Sequence, residues 1–180
     1  SLNDGNGSNS GHTRVFEWNG SAWVQMGSDI DGESGNVRSG YSVSINSSGD
    51  RVAIGAWYAS DGSGDRTGHA RVFEWDGSAW AQLGSDIDGE AASDYSGWDV
   101  SLDSDGDRVA IGAIYNDDTG ENAGHVRVHE WNGSAWAQLG SDIDGEAAGD
   151  RFGESVDLDA DGNRVAIGAP YNQGAGSEAG

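Results

Sequence analysis

The chain has 180 residues with 31 acidic and nine basic side chains, which gives a formal net charge of −22 at pH 7. All nine basic residues are arginine. Such a surface repels nucleic-acid phosphates and anionic lipid head groups, so nucleic acid is excluded, and cations, basic proteins and sugars are the candidate partners. No apolar run approaches the ~20 residues of a membrane-spanning helix, which excludes membrane insertion, and there is no cysteine for a disulfide framework.

One segment occurs three times along the chain. The sequence GHTRVFEW at 11–18 returns as GHARVFEW at 68–75 and as GHVRVHEW at 124–131, with its first histidine displaced by 57 and then by 56 residues. Each occurrence is followed by (N/D)GSAW, then by GSDIDGE, and later by RVAIGA. Self-similarity at a fixed period is the signature of a repeat architecture. The copies span about 11–67, 68–123 and 124–180.

Within each copy, apolar residues alternate with polar ones at the period of two that predicts β-strands and no helix. A two-residue turn at Asn19-Gly20 is expected to join the first two strands and to place Phe16 opposite Trp23. The sequence therefore predicts an all-β array of three antiparallel four-stranded units of about 56–57 residues each. In the first copy the predicted strands are 12–18, 22–30, 41–45 and 51–56. The later third and fourth strands are 98–102, 108–113, 154–158 and 164–169.

Six tryptophans recur at the repeat period in the hairpin formed by the first two strands. Both faces of that hairpin carry apolar side chains, so we expect it to be covered on both sides, as in blades that stack against their neighbours. We therefore predict that the six rings pack between blades, and the alternative is a platform on which sugars stack. They are Trp18, Trp23, Trp75, Trp80, Trp131 and Trp136.

The third copy carries a motif that resembles a known repeat. Phe152-Gly153, a turn and then Gly168-Ala169-Pro170 follow in the order and spacing of the FG-GAP repeat, the blade unit of integrin α-subunit propellers and of many bacterial and algal surface proteins. The other copies match this signature in part, and the chain is most similar to the short, metal-poor variants. The resemblance implies a β-propeller-type array, part of a larger propeller or of an oligomer. Its blade-register units are expected at about 36–90 and 93–146, with a half-blade at each end.

The resemblance to FG-GAP repeats also implies a class of function. It implies a non-catalytic structural or adhesion module, extracellular or at the cell surface, that mediates protein–protein assembly. No nucleophile–base–orienter set stands out in the sequence, so we expect no enzyme activity. The alternative is a calcium-dependent or lectin-like ligand-binding propeller.

The expected half-blades have unpaired strand edges, and such edges invite association. We therefore expect self-association, or pairing with further repeats of the same chain. Other surface proteins and glycans are further candidate partners. A closed ring of two copies and a filament of many copies both satisfy this expectation.

The hairpin between the third and fourth strands is acidic and is the candidate metal site. The resemblance implies that this loop can bind Ca²⁺, which takes about 6–8 oxygen ligands. Arg51, Arg108 and Arg164 align where calcium-binding blades have a final carboxylate, so a bulged turn without metal is the alternative. We expect no other cofactor. The candidate calcium ligands are Asp103, Asp105, Asp107, Asp157, Asp159, Asp161 and Asn163.

Three further features are the SDIDGE run and the sequons, which each have two interpretations, and the histidines, which have a structural one. The acidic run SDIDGE, identical in all copies, predicts either a low-affinity cation site or a connector with solvated charge. The histidines have no second histidine or cysteine at a metal-ligand spacing, so we expect structural roles for His12, His69, His125 and His129. Four Asn-x-Ser sequons predict turns, or glycan sites in a secreting eukaryote. They begin at Asn6, Asn19, Asn46 and Asn132.

Overall fold

The computed structural model describes residues 6–60 and 65–173, and in these ranges it contains sixteen β-strands and no helix. No described segment is therefore a helix that could cross a bilayer. The first eight strands are β1 (His12–Thr13), β2 (Phe16–Trp18), β3 (Trp23–Gln25), β4 (Ile30–Asp31), β5 (Ser42–Ile45), β6 (Arg51–Ala56), β7 (His69–Trp75) and β8 (Trp80–Gln82). The others are β9 (Ile87–Asp88), β10 (Ser96–Leu102), β11 (Arg108–Ala113), β12 (His125–Trp131), β13 (Trp136–Gln138), β14 (Ile143–Asp144), β15 (Ser155–Leu158) and β16 (Val165–Gly168).

Two complete antiparallel sheets form the centre of the array. Blade 1 has the strand order β5-β6-β7-β8, and β9 also pairs with β7. Blade 2 repeats this order as β10-β11-β12-β13, with β14 paired to β12. The strand register is the same in both blades. Val52 pairs with Phe73 in blade 1, and the equivalent Val109 pairs with His129 in blade 2. The all-β, propeller-type array that the sequence predicts is confirmed.

A partial blade lies on each side of these two. The outer half-blade consists of the pairs β1-β4 and β2-β3, which correspond to the last strands of a complete blade. The inner half-blade is the hairpin β15-β16, which corresponds to the first two strands. Within the described residues, neither half-blade pairs with the other.

The predicted second strand of each copy is interrupted. In the first copy β3 ends at Gln25 and β4 begins at Ile30, so the predicted strand 22–30 is two short strands. Gly27 lies between them with φ of 70°, a conformation that ends a strand and favours glycine. A β-carbon at Gly27 would lie 2.7 Å from the ring of Trp75 in blade 1, so the interruption leaves room for the neighbouring blade.

The turn after β2 also differs from the prediction. Trp18, and not Phe16, lies opposite Trp23, so the loop has four residues rather than two. The side-chain oxygen of Asn19 accepts hydrogen bonds from the backbone N–H groups of Ser21 and Ala22, which stabilises this wider turn. Equivalent bonds are made by Asp76 and Asn132, so the predicted turns exist but are longer than expected.

The core lies between successive blades. Val100 and Leu102 of blade 2 pack against Ala53 of blade 1, and all three are buried. The same contact recurs one blade later, where Val156 and Leu158 of the inner half-blade pack against blade 2. Burial of these apolar faces removes them from water, so each blade is stabilised by the next one.

The repeated tryptophans extend this contact outward, but only where a preceding blade exists. The Trp80 indole N–H donates to the carbonyl oxygen of Met26 at 2.9 Å, and Trp136 donates to that of Leu83 at 2.8 Å. These rings pack between blades as predicted. The prediction is wrong for Trp18 and Trp23, which are exposed, Trp23 at 67%, because the described array has no blade before the outer half-blade.

A pair of equivalent substitutions tests this difference. Trp80→Ala is expected to lower the free energy of unfolding by about 2–3 kcal/mol, because it exposes apolar surface and removes the donor to Met26. Trp23→Ala should change it by about 0.5 kcal/mol or less in dilute solution, since its ring is already in water. Urea unfolding followed by circular dichroism measures both. Equal losses would contradict the stacking role given to Trp80.

Candidate functional site

The acidic hairpins contain the predicted calcium ligands, and two of these carboxylates organise the turns. Asp103 Oδ1 accepts hydrogen bonds from the backbone N–H groups of Asp107 and Arg108 at 3.1 and 3.2 Å. Asp159 Oδ1 accepts from the N–H groups of Asn163 and Arg164 at 2.8 and 3.0 Å. Asn46 does the same in the first copy, which has no carboxylate at this position. This common role explains why the position is Asp or Asn.

The environments of these two carboxylates differ. Burial raises the pKa of Asp103, whereas the backbone hydrogen bond from Arg164 lowers the pKa of Asp159. Asp157 lies in β15, and the remaining predicted ligands lie in the turns. The hairpins therefore bring the seven predicted residues into two neighbouring turns and one strand.

An arginine from each complete blade reaches into the hairpin of the next one. Arg108 Nη1 donates to the carbonyl oxygen of Gly162 at 3.2 Å and to Asn163 Oδ1 at 2.8 Å. Its Nε and Nη2 donate to Glu130 Oε1 in its own blade. Arg51 makes the equivalent bond to the carbonyl of Gly106 at 3.2 Å. A guanidinium thus already supplies positive charge beside the hairpin oxygens. Calcium binding at these residues stays a prediction.

The structure also forms two clusters in which a histidine joins carboxylates of the SDIDGE runs, for which the sequence predicted either a low-affinity cation site or a solvated connector. Glu33, His69 and Asp86 place one ligand atom each within 4.8 Å of one another, at the junction between the outer half-blade and blade 1. The next junction repeats this arrangement with four residues, namely Glu90, Asp118, His125 and Asp142. The available signal was the fixed spacing between the repeated histidine and the identical SDIDGE runs. Sequence spacing alone could not reveal that runs from two successive copies meet at one histidine.

A group of aromatic rings covers the end of the blades opposite the acidic hairpins. The ring centroids of Trp57 and Trp98 lie 5.2 Å apart, and those of Trp57 and Tyr95 lie 4.8 Å apart. Arginines stack on its surface, with Arg38 over Trp57 and Arg66 over Tyr58. The sequence did not predict this aromatic cluster, although a tyrosine lies two residues after each RVAIGA segment. The members are Tyr41, Trp57, Tyr58, Tyr95, Trp98 and Tyr115.

Comparison with known families identifies the repeat. The model of the FG-GAP repeat family matches residues 85–128 and 142–180. Both matched segments are FG-GAP repeats. The comparison with curated proteins found no match. FG-GAP repeat modules are typically extracellular and are generally structural rather than enzymatic.

The packing of successive blades explains why the FG-GAP signature requires glycine. A β-carbon at Gly112 would collide with the carbonyl oxygen of Gly153 in the adjoining inner half-blade. Gly55 faces the carbonyl of Gly97 in the same way one blade earlier. The two glycines of the signature therefore meet across the blade junction, where the backbones approach too closely for any side chain.

The array buries three of its histidines. Burial lowers the pKa of His69 and of His129 to about 4, and it also lowers the pKa of His125. All three imidazoles are therefore uncharged at pH 7. His129 pairs with Val109 where the second copy has Phe73, so it occupies an apolar position of the blade.

His129→Phe tests the cost of this burial. The folded-state pKa of about 4 lies below the unfolded value of about 6.5, so the stability contributed by the neutral form is lost as the pH falls from about 6.5 toward 4. The variant, which installs the residue of the other copies, should lose less stability than the parent between about pH 7 and pH 5. Urea unfolding at several pH values measures this, and parallel losses would contradict it.

Proposed function

We propose that the chain is a non-catalytic structural and adhesion module, extracellular or at the cell surface, which assembles with further copies of itself. One observation carries this proposal. The two ends of the described array expose complementary halves of the contact that joins successive blades inside the chain.

The leading face lies on the side of the outer half-blade. Val43 is 55% exposed there, whereas the equivalent Val100 in blade 2 is 4% exposed. Ile45 and Trp23 are exposed in the same way. A β-carbon at Gly49 would meet no atom within 4 Å. We define the leading face as Trp23, Val43, Ile45 and Gly49.

The trailing face lies on the side of the inner half-blade. Ala166 is exposed there, although the equivalent Ala110 is fully buried. Arg164 has a side chain that is 85% exposed and forms an ion pair with Asp159 of its own hairpin. Leu139 is exposed, and the space around Gly140 is open. We define the trailing face as Leu139, Gly140, Arg164 and Ala166.

The internal junctions supply the pattern by which these faces fit. Because Trp136 donates to the Leu83 carbonyl, Trp23 is expected to donate to the carbonyl of Leu139 of a second copy. Because Val100 covers Ala53, Val43 is expected to cover Ala166 of that copy.

The contacts between arginines and hairpins inside the chain also predict a contact between two copies. A β-carbon at Gly106 would lie 2.9 Å from Arg51, and one at Gly162 would lie 2.6 Å from Arg108. Arg164 therefore lacks the next hairpin, and Gly49 lacks an arginine. Contact between Arg164 and the Gly49 carbonyl of a second copy satisfies both.

Strand pairing supports the same arrangement. The edge of β16 that faces away from β15 has no strand beside it in the described chain, whereas β6 and β11 pair on both edges. The groove between the outer half-blade and β5 is lined by Val15, Phe16, Val43 and Ile45, and it has the position of a missing inner half-blade. Addition of a strand to an open sheet edge is a common mode of association. Two copies joined at both ends would make six blades, within the range of about 4–8 for closed propellers.

Light scattering after size exclusion tests the assembly. The parent is expected to run as two chains or as a larger multiple. The double change Trp23→Ala with Arg164→Glu should give a folded monomer, because it removes the ring from one face and reverses the charge on the other. Val24→Ala with Arg66→Glu is the matched control, since both residues are exposed and lie outside the two faces.

Assembly in the parent and in the control, with a monomer only in the face variant, supports the proposal. A parent that is a folded monomer at every concentration, with a melting temperature independent of concentration, would contradict it. Cross-linking of copies that carry cysteine at Gly49 and at Arg164 distinguishes head-to-tail contact from any other geometry.

The aromatic cluster favours a second candidate function, which is lectin-like binding. Closely packed, mutually tilted rings flanked by arginine form a surface suited to the apolar faces and hydroxyl groups of sugars. A glycan array probed with and without Ca²⁺ tests this function. Tyr58→Ala with Tyr95→Ala should weaken any binding by at least about tenfold, which corresponds to about 1.4 kcal/mol. Tyr171→Ala is the control, and binding unaffected by the double variant would contradict this function.

A further inference from the structure

The junction between blades 1 and 2 gathers four potential ligands from separate parts of the chain. Glu90 follows β9 of blade 1, and Asp118 lies in the connection between β11 and β12. His125 begins β12 of blade 2, and Asp142 precedes β14. One ligand atom from each lies within 4.8 Å of the others. The junction therefore brings an imidazole and three carboxylates to one point.

His125 makes this more than a group of acidic residues. It is 1% exposed, and its Nδ1 atom has no hydrogen-bond partner among the described residues. Nδ1 lies 3.9 Å from Glu90 Oε2 and 4.0 Å from Asp142 Oδ2, too far for hydrogen bonds. A buried polar atom that is left without a partner is costly, and this one faces the carboxylates. An ion between them would satisfy it.

Outer contacts hold the two nearest carboxylates in place. Gln138 donates from Nε2 to Asp142 Oδ1, which leaves Oδ2 facing the histidine. Arg127 Nη1 lies 3.4 Å from Glu90 Oε1, which leaves Glu90 Oε2 facing His125 Nδ1. Such contacts orient the ligands of metal sites. The single arginine does not balance three carboxylates, so the junction retains negative charge that favours a cation.

The preceding junction repeats the arrangement with three ligands. His69 Nδ1 lies 3.8 Å from Asp86 Oδ2, and Gln82 donates to the other oxygen of Asp86 at 2.7 Å. Arg71 lies 3.4 Å from Glu33 Oε1, as Arg127 does from Glu90. The residue that corresponds to Asp118, Asp61, lies outside the described residues. The same geometry thus arises at two junctions from different residues.

We infer that the junction of blades 1 and 2 binds a divalent transition-metal ion, with Zn²⁺ the best match, through His125 Nδ1 and the carboxylates of Glu90, Asp118 and Asp142. The mixture of imidazole and carboxylate suits Zn²⁺, whereas Ca²⁺ takes oxygen ligands. Zinc bonds of about 2.0–2.2 Å place tetrahedral ligands about 3.4 Å apart, so Glu90 and Asp142, which lie 3.9 and 4.0 Å from His125 Nδ1, need to close by about half an ångström. The three-ligand junction at His69 is the weaker site.

The bound ion links two blades. Glu90 belongs to the end of blade 1, whereas His125 and Asp142 belong to blade 2. The site lies at the end of β11 opposite the acidic hairpin, because His125 pairs with Ala113 while the hairpin precedes Arg108. It is therefore separate from the predicted calcium ligands. Since the ligands converge only in the folded chain, metal binding raises the melting temperature.

Calorimetric titration of the full chain with Zn²⁺ tests the inference. We expect one tight Zn²⁺ per chain, together with the weaker second site. Glu90→Gln with Asp142→Asn should lower the affinity of the tight site by at least about tenfold. Asp144→Asn with Glu121→Gln is the matched control, because it removes the same charges from exposed positions outside the cluster. The control should bind Zn²⁺ as the parent does.

A second measurement identifies the ligand atom. Addition of Zn²⁺ to ¹⁵N-labelled chain should shift the Nδ1 resonance of His125 in the parent and in the control, but not in the cluster variant. Equal loss of affinity in both double variants would attribute binding to the acidic surface in general and overturn the inference. Absence of Zn²⁺ binding, or binding that leaves the His125 resonance in place, would overturn it as well.

Discussion

The close approach of successive blade backbones is the constraint on which the rest of this structure depends. Gly55 faces the Gly97 carbonyl, and Gly112 faces the Gly153 carbonyl, with no room for a β-carbon on either first residue. Only this approach brings Val100 onto Ala53 and lets apolar faces exclude water between sheets. Larger residues at these glycines would separate the blades and remove the tryptophan and arginine contacts that lie farther out.

Because one junction is repeated, its chemistry is repeated with it. Arginines carry all the basic charge of this very acidic chain, and several of them act across or beside junctions. Arg51 and Arg108 reach the next hairpin, while Arg71 and Arg127 lie beside glutamates of the preceding copy. The forked guanidinium can serve two blades at once, which a point charge on lysine does less well. An array of identical junctions also has ends that match each other, which is the basis of the proposed assembly.

The proposed assembly would form a further junction of the kind proposed to bind metal. In the outer half-blade His12 lies 4.0 Å from Asp29, as the histidines of the later junctions lie beside their aspartates. The glutamate that a preceding blade would supply corresponds to Glu146, which follows the trailing face. A second copy docked head to tail therefore brings Glu146 toward His12 and creates a further junction of the same type. The two proposals rest on different residues, and each stands without the other.

The sequence by itself determined the repeat, the approximate strand positions and the resemblance to FG-GAP repeats, because the alternation of apolar residues and the FG-GAP signature are local properties. It did not determine that the second strand of each copy is interrupted. Tertiary structure decided which equivalent residues are buried. Trp80 and Trp23 share the same local sequence, yet only Trp80 has a blade in front of it. The same applies to His125 and its carboxylates, which lie in two copies and meet only when blades stack. Contacts between the repeat copies depend on how closely the backbones of two blades approach. The sequence of a single repeat does not specify that distance.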